Sequence, residues 1–165
     1  MFICSVRAST IKLFALLALT VIILVAVLAY GGDASVYAFA EGKEVNYGGM
    51  KTNEDRVAFI NGFGISVESE PVKEESFSVP ENFDTVLSSY NELQKSQGLD
   101  LTKYTKKRVT HYSYKVTNYN SEDEVFVNLF IYKNRIIGCD ISSASPNGFV
   151  LPLCSVDASM LKNSQ

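Results

Sequence analysis

Few side chains in this 165-residue sequence are of the types that carry out catalysis. His111 is the only histidine, and Ser113 is the hydroxyl nearest to it along the chain. Acyl transfer needs a nucleophile, a base and an orienting group that meet in space, and positions i and i+2 of one strand give no such meeting. The spacing favours a half-exposed strand histidine, and catalysis by His111 stays an alternative.

Carboxylates for hydrolysis are available at Asp140 and in the run Glu122, Asp123 and Glu124. The run belongs to a polar turn, where carboxylates are hydrated and keep ordinary pKa values. No DxDxDG calcium loop is present, and GFG at 62–64 lacks the length and the lysine of a phosphate loop. The sequence therefore predicts no catalytic residue, no cofactor and no metal site, and an enzyme only as an alternative.

The sequence contains three cysteines and no CxxC pair: Cys4, Cys139 and Cys154. With one histidine, this set argues against a zinc site. If a turn is centred on residues 146–147, Cys139 and Cys154 face each other on neighbouring strands, about 5 Å apart and within reach of a disulfide. A bulge at Gly148 would place Cys139 opposite Ser155 instead. We predict a possible structural disulfide, with two thiols as the alternative.

Aromatic residues give the remaining indication of a binding surface. Tyrosine combines an apolar body with a polar tip and is frequent at interfaces, and it also fills a core that lacks tryptophan. We favour core packing for most of these residues. The interaction surface that the sequence offers consists of Tyr90, Asn91, Tyr104, Tyr112, Tyr114, Asn118 and Tyr119.

The segment that decides where these residues lie is 13–30, LFALLALTVIILVAVLAY, which carries no charge. A helix of this length reaches about 27 Å, close to the thickness of a bilayer core, so we predict a transmembrane anchor after a short cytoplasmic N-terminus, residues 1–12. Arg7 and Lys12 precede it, and acids begin only at Asp33, which predicts a plasma-membrane protein with its C-terminal domain outside. A signal peptide cleaved near Ala40 would give the same charge pattern. The net charge of −3 gives no indication of nucleic-acid binding.

The rest of the chain divides into a glycine-rich flexible spacer (31–51), an extracytoplasmic domain (52–155) and a frayed tail (156–165). Capping residues predict a short helix over 52–61, and apolar periodicity predicts a longer one over 81–97 that ends at Gly98. Its predicted apolar face is Phe83, Val86, Leu87, Tyr90, Leu93 and Gln97.

Alternation of period two predicts strands over 108–119, 125–132, 136–142 and 149–153, with a hairpin turn at Lys133–Asn134. Acids and bounding prolines make 71–79 an edge segment. Helices followed by antiparallel strands indicate an α+β domain, in which two helices pack on an antiparallel sheet of three to four main strands.

Several pieces of the sequence together are distinctive: GFGISVESEPV, VPENFD, YNELQKSQGLDL, HYSYKVTNY, IIGCDIS and the GF at 148–149. With these pieces, the region from about Arg56 to Leu153 resembles a bacterial family of membrane-anchored, mostly firmicute proteins, the DUF4830 domain family. Phe63 and Cys139 depart from the tryptophan and the second glycine of its pattern, and the segment after Phe149 diverges. The resemblance implies the architecture and brings no activity, ligand or catalytic residue.

We therefore expect a non-enzymatic binding, sensing or interaction module at the cell envelope, with the membrane and another envelope protein as partners. The alternatives are an envelope hydrolase that uses carboxylates or His111, a secreted form, and a structural accessory subunit. A pocket in which His111 or Asp140 meets other polar groups would favour the enzyme. An unpaired edge at residues 72–79 would favour binding, by strand addition.

Overall fold

A computed structural model describes residues 37–40, 43–146 and 148–162 of the chain. These residues belong to one compact unit, Ser35–Gln165. The predicted anchor, residues 13–30, lies outside the described residues. Across the described ranges, no helix has the length and apolar character needed to cross a membrane.

The described part of this unit contains two α-helices, a five-stranded antiparallel sheet and a separate hairpin. The sheet has the order β3-β4-β5-β6-β7, and β1 pairs only with β2 among the described strands. The elements are β1 Tyr37–Ala40, β2 Lys43–Asn46, α1 Asn53–Asn61, β3 Lys73–Ser78, α2 Thr85–Lys95, β4 Arg108–Lys115, β5 Val125–Tyr132, β6 Arg135–Ser143 and β7 Val150–Leu151.

The predicted α+β class is confirmed, but the sheet has five strands and not three to four. The additional strand is β3, which pairs with β4 from Lys73 to Ser78. The central strand is β5, where alternate side chains are buried and the intervening ones are half-buried. Its buried set, Val125, Val127, Leu129 and Ile131, belongs to the larger of two hydrophobic clusters. The smaller cluster occupies the opposite face of the sheet around Val109 and Ile137.

Both helices begin and end at the residues that helix chemistry favours. At the start of α1, the Thr52 hydroxyl accepts from the Asp55 amide, and the Asp55 carboxylate accepts from the Thr52 amide at 2.8 Å, which is a capping box. The chain leaves α2 through Gly98, which has φ of +78°. The Leu99 amide donates to the Gln94 carbonyl, so the predicted left-handed cap is confirmed.

The predicted face of α2 is wrong by part of a turn. The helix begins at Thr85, and Val86 is 77% exposed, whereas Asn91 and Gln94 are buried. Apolar periodicity misses this orientation because the buried side of α2 carries amides that bind backbone groups. Asn91, for example, accepts from the Leu101 amide at 2.7 Å through its side-chain oxygen.

Two glutamines of α2 and its C-terminal turn satisfy the open side of β6. The Cys139 amide donates to Gln94 Oε1 at 2.9 Å, and Gln94 Nε2 donates back to the Cys139 carbonyl at 3.0 Å. Gln97 donates to the same carbonyl at 2.8 Å and accepts from the Leu153 amide at 2.8 Å. These side-chain amides thus take the place of a neighbouring strand where β7 does not reach.

The spacer prediction is wrong for residues 43–51. Val45, Tyr47 and Met50 are buried in the larger hydrophobic cluster. The Tyr47 hydroxyl donates to the Gln97 carbonyl at 2.9 Å, and the Met50 amide donates to the Asn134 carbonyl at 2.9 Å. This segment belongs to the folded domain because it supplies a whole aromatic side chain to the core.

The C-terminal segment is also ordered further than the predicted frayed tail. The Asn120 amide donates to the Met160 carbonyl at 2.8 Å, and the Lys162 amide donates to the Asn118 carbonyl at 2.7 Å. Leu161 packs against the larger hydrophobic cluster. Residues 158–162 are therefore attached to the loop that follows β4.

Candidate functional site

A hydrogen-bonded chain of polar side chains crosses the sheet on the face that α2 covers. Glu75 of β3 lies 3.3 Å from His111 Nδ1 on β4, and His111 Nε2 lies 3.0 Å from Asn128 Oδ1 on β5. Asn128 Nδ2 donates to Asp140 Oδ1 on β6 at 2.8 Å. Tyr90 of α2 closes the chain by donating its hydroxyl to Asp140 Oδ2 at 2.5 Å. The two candidates that the sequence offered, His111 and Asp140, are thus brought into one network.

The orientation of Asn128 assigns a proton to one ring nitrogen of His111. Asn128 also donates through Nδ2 to the Ser142 hydroxyl at 2.9 Å, so its oxygen faces the imidazole. His111 Nε2 must therefore carry a proton, while Nδ1 faces the Glu75 carboxylate. The imidazole lies flat against Phe130, with ring centroids 4.6 Å apart and an interplanar angle of 11°. Both ring nitrogens are engaged, which makes His111 a structural link across three strands.

Burial shifts the pKa values at the inner end of this chain. Asp140 is 3% exposed, and this burial raises the pKa of its carboxyl group against the opposing effect of the Tyr90 and Asn128 hydrogen bonds. Burial, and then the charge of Asp140, raise the pKa of Tyr90 well above its ordinary value. Tyr90 therefore stays a hydrogen-bond donor at neutral pH. At the outer end, the hydrogen bonds from Lys73 and His111 lower the pKa of the exposed Glu75.

An apolar pocket adjoins the network. Tyr90 belongs to both, and Phe130, which stacks on His111, lines the pocket. It has a volume of about 220 Å³ and lies among β3, the first turns of α2 and the middle strands. The Tyr90 and Phe77 rings meet the Phe130 ring edge to face, with centroids 6.1 and 6.0 Å apart. The lining residues are Phe77, Val79, Pro80, Leu87, Tyr90, Leu101, Val109, Phe130 and Ile137. This geometry is suited to receive one small apolar group rather than to perform acid–base chemistry.

The predicted interaction residues do not form one surface. Tyr90 and Tyr104 pack against the smaller hydrophobic cluster, whereas Tyr112 and Tyr119 pack against the larger one. Tyr114 is fully buried.

The contacts of these residues are mostly internal. The Tyr112 ring lies 3.9 Å from the Arg56 guanidinium, and the Tyr114 hydroxyl accepts from Arg56 Nε at 2.7 Å. Asn118 holds the loop after α1 through the Ser66 amide and the Gly64 carbonyl. Tyr104 meets Tyr132, and Tyr119 meets Phe149.

Cys139 and Cys154 carry thiols in the structure. The register between β6 and β7 pairs Ile141 with Leu151, which differs by one residue from the predicted register. Because β7 ends before Pro152, the chain turns away and Cys154 enters a 3₁₀ turn. Cys139 is fully buried, and burial raises the pKa of its thiol well above the ordinary value.

Sequence reasoning missed Asn128 and Phe130, which connect the network to the pocket. The signal was present, because Asn128 is the one amide in an otherwise apolar strand, VFVNLFIY. Within the described ranges, no three histidine, cysteine, aspartate or glutamate side chains lie close enough together to hold a metal ion.

The fold and the site define an α+β domain with a small apolar pocket beside a polar network. A family model described as a domain of unknown function, DUF4830, matches residues 59–141, and the chain belongs to this family. The matched region contains all five residues of the network, from Glu75 to Asp140, and ends before β7. No curated protein and no solved structure gave a match to the chain.

Proposed function

We propose that the chain is a single-pass plasma-membrane protein whose domain faces the outside of the cell and works as a non-enzymatic binding or sensing module. The pocket between β3 and α2 carries this proposal, because its lining is formed by apolar side chains and aromatic rings. The apolar segment 13–30 and the preceding Arg7 and Lys12 support the membrane topology.

The size of the pocket supports the binding of a compact apolar group. An apolar cavity of about 150 Å³ can hold a benzene molecule. The pocket here, at about 220 Å³, therefore has room for an aromatic ring or a branched aliphatic group. Phe77, which is 38% exposed, forms part of the lining and connects the pocket with the protein surface. A ligand or partner that inserts such a group would bury it without desolvating the Asp140 network.

The binding function is tested with the full chain in nanodiscs of neutral lipid, with toluene as the probe. The readout is the methyl NMR spectrum. Toluene should shift the methyl signal of Ile137, which lines the pocket, and leave the methyl signal of Ile60, which is buried in the other cluster, unchanged. Leu87→Trp fills the pocket and should abolish the shift. Val86→Trp, at a 77% exposed neighbouring position, should preserve it. Equal shifts at Ile137 and Ile60, or an effect that Leu87→Trp leaves unchanged, would refute the proposal.

An envelope hydrolase is the second candidate, and the convergence of His111 and Asp140 is the observation in its favour. Against it, both His111 nitrogens and both Asp140 oxygens already bind other members of the network. A hydrolase should cleave nitrophenyl esters or glycosides at a rate that His111→Gln or Asp140→Asn abolishes. Glu122→Gln, in the exposed turn, serves as the control.

The topology requires a separate test, because a secreted form released near Ala40 is the alternative. Alkaline phosphatase fused after Gln165 is active only if the C-terminus lies outside. An epitope tag before Met1 should remain on the same polypeptide as the phosphatase in the membrane fraction. Loss of the tag together with phosphatase in the medium would replace the anchored form by the secreted one.

A further inference from the structure

The outer edge of β3 pairs with no other strand that the structure describes. Among the described strands, β3 is hydrogen-bonded to β4 alone, and all six of its residues are exposed. The Val79 amide donates to the Lys107 carbonyl at 3.0 Å, so Val79 and every second residue before it direct their backbone hydrogen-bonding groups towards β4. Since inward and outward pairs alternate in antiparallel sheets, Glu74, Ser76 and Ser78 direct their N–H and C=O groups away from β4.

The pocket lies beside this edge. Phe77, Val79 and Pro80, from β3 and the residues that follow it, form one wall of the pocket. A strand that pairs with β3 would run about 4.8 Å outside it, with alternate side chains on the pocket face next to Phe77. An apolar side chain at that position could enter the space that Phe77 leaves open. Backbone pairing would then provide affinity, and the pocket would provide specificity.

The charges around β3 specify the partner further. Between Glu68 and Glu75 the chain carries four carboxylates and one ammonium group, Lys73, whose ion pair is with Glu75 at 2.7 Å. Glu74 lies on the opposite face from Glu75, where it interacts with the Tyr112 hydroxyl. A complementary strand therefore has apolar residues on the pocket face and basic residues on the Glu74 face.

We infer that β3 accepts an extended segment of a partner protein, with alternating apolar and basic residues, as a sixth strand of the sheet that inserts one apolar side chain into the pocket. This inference rests on the proposed binding function and names the class of partner. Charged residues on an edge can also serve only to prevent pairing, and the experiment separates these two roles.

The probe is a nine-residue peptide in which lysine alternates with leucine and valine, labelled with fluorescein. Its binding to the full chain in neutral-lipid nanodiscs is measured by anisotropy, with empty nanodiscs as the blank. A peptide of the same composition with its lysines grouped at one end, and one with glutamate in place of lysine, are the controls. We expect the alternating lysine peptide to bind at least about tenfold more tightly than either control, because it matches both the edge and its charge.

A matched pair of variants tests the backbone pairing. Ser76→Pro removes an outward N–H group that β4 does not use, and proline is tolerated at such edge positions. Ser76→Ala keeps that group and loses the same side-chain contact with Thr110. Ser76→Pro should weaken the binding of the lysine peptide at least about tenfold relative to Ser76→Ala. Glu74→Lys should shift the preference towards the glutamate peptide.

The outcomes distinguish this inference from the function on which it rests. If toluene shifts the Ile137 signal but Ser76→Pro and Ser76→Ala bind the peptide equally, strand addition is refuted and the pocket function stands. If all three peptides bind alike, the charges of β3 only protect the edge, and the inference also fails. If neither toluene nor peptide binds, both proposals fail. Ile60 methyl signals report whether each variant is folded.

Discussion

Replacement of Gln94 and Gln97 by methionine tests whether side-chain amides support the open side of β6. Methionine keeps the unbranched shape but cannot bind the backbone. Gln94→Met leaves the buried Cys139 amide without its acceptor, and Gln97→Met does the same to the Leu153 amide. A buried donor left unpaired costs about 1 to 3 kcal/mol, so each variant should lose about 2 kcal/mol in the free energy of unfolding.

The double variant should lose more than the sum of the two. The Cys139 carbonyl accepts from both glutamines, so either single variant leaves it one donor and only the double variant leaves it none. This shared acceptor should appear as a coupling of about 1 kcal/mol in a double-mutant cycle. With a urea m-value of about 1.5 kcal/mol per M, each single loss lowers the unfolding midpoint by about 1.3 M.

Pulse proteolysis of the full chain in urea measures these midpoints. Ser88→Met, at an exposed position of α2, is the matched control and should change stability by less than about 0.5 kcal/mol. The reasoning would be refuted if each single variant lost as little unfolding free energy as Ser88→Met. It would also be refuted if the double variant lost only the sum of the two single losses. Water would then be satisfying the Cys139 backbone in place of the amides.

Three further predictions concern the core, the network and the cysteines. Tyr47→Ala empties a fully buried site and should cost about 3 to 5 kcal/mol in the same assay. The raised pKa of Asp140 means that the folded state keeps a proton which the unfolded state loses, so stability should fall as pH rises from about 4 through that pKa. Asp140→Asn should remove this part of the pH dependence of the unfolding midpoint. In a Cys4→Ser background, a thiol count under denaturing, non-reducing conditions should find two thiols, Cys139 and Cys154.

Each of these predictions has a result that contradicts it. Wild-type stability of Tyr47→Ala would mean that residues 43–51 are not part of the folded core. Identical pH profiles for the wild type and Asp140→Asn would show that Asp140 has an ordinary pKa. A count of zero thiols would establish the disulfide between Cys139 and Cys154 that the sequence suggested.

Local chemistry made much of the fold predictable. The caps at Thr52 and Gly98 fixed helix ends, and Lys133 and Asn134 formed the expected hairpin turn with φ values of +48° and +61°. The two faces of β5 also followed from alternation, because its side chains meet the core directly. These features depend on neighbours within a few residues, which a sequence displays.

The parts that were missed depend on partners far apart in the chain. Gln94 is buried where it binds the Cys139 backbone, and Tyr47 is buried where its hydroxyl binds the Gln97 carbonyl. Neither contact produces a periodic pattern in the sequence. His111 and Asp140 were recognised as individual candidates. Their connection required Asn128, whose role appears only when β4, β5 and β6 are aligned in register.

The position of Tyr47 has a consequence for the proposed alternative of a secreted form. A cut after Ala40 would remove β1 but would leave Val45, Tyr47 and Met50 attached to the core that they fill. Cleavage at residue 40 would then change the location of the domain and leave the composition of its core unchanged. On the proposed topology, such a cut would release a domain that keeps both its β3 edge and its pocket.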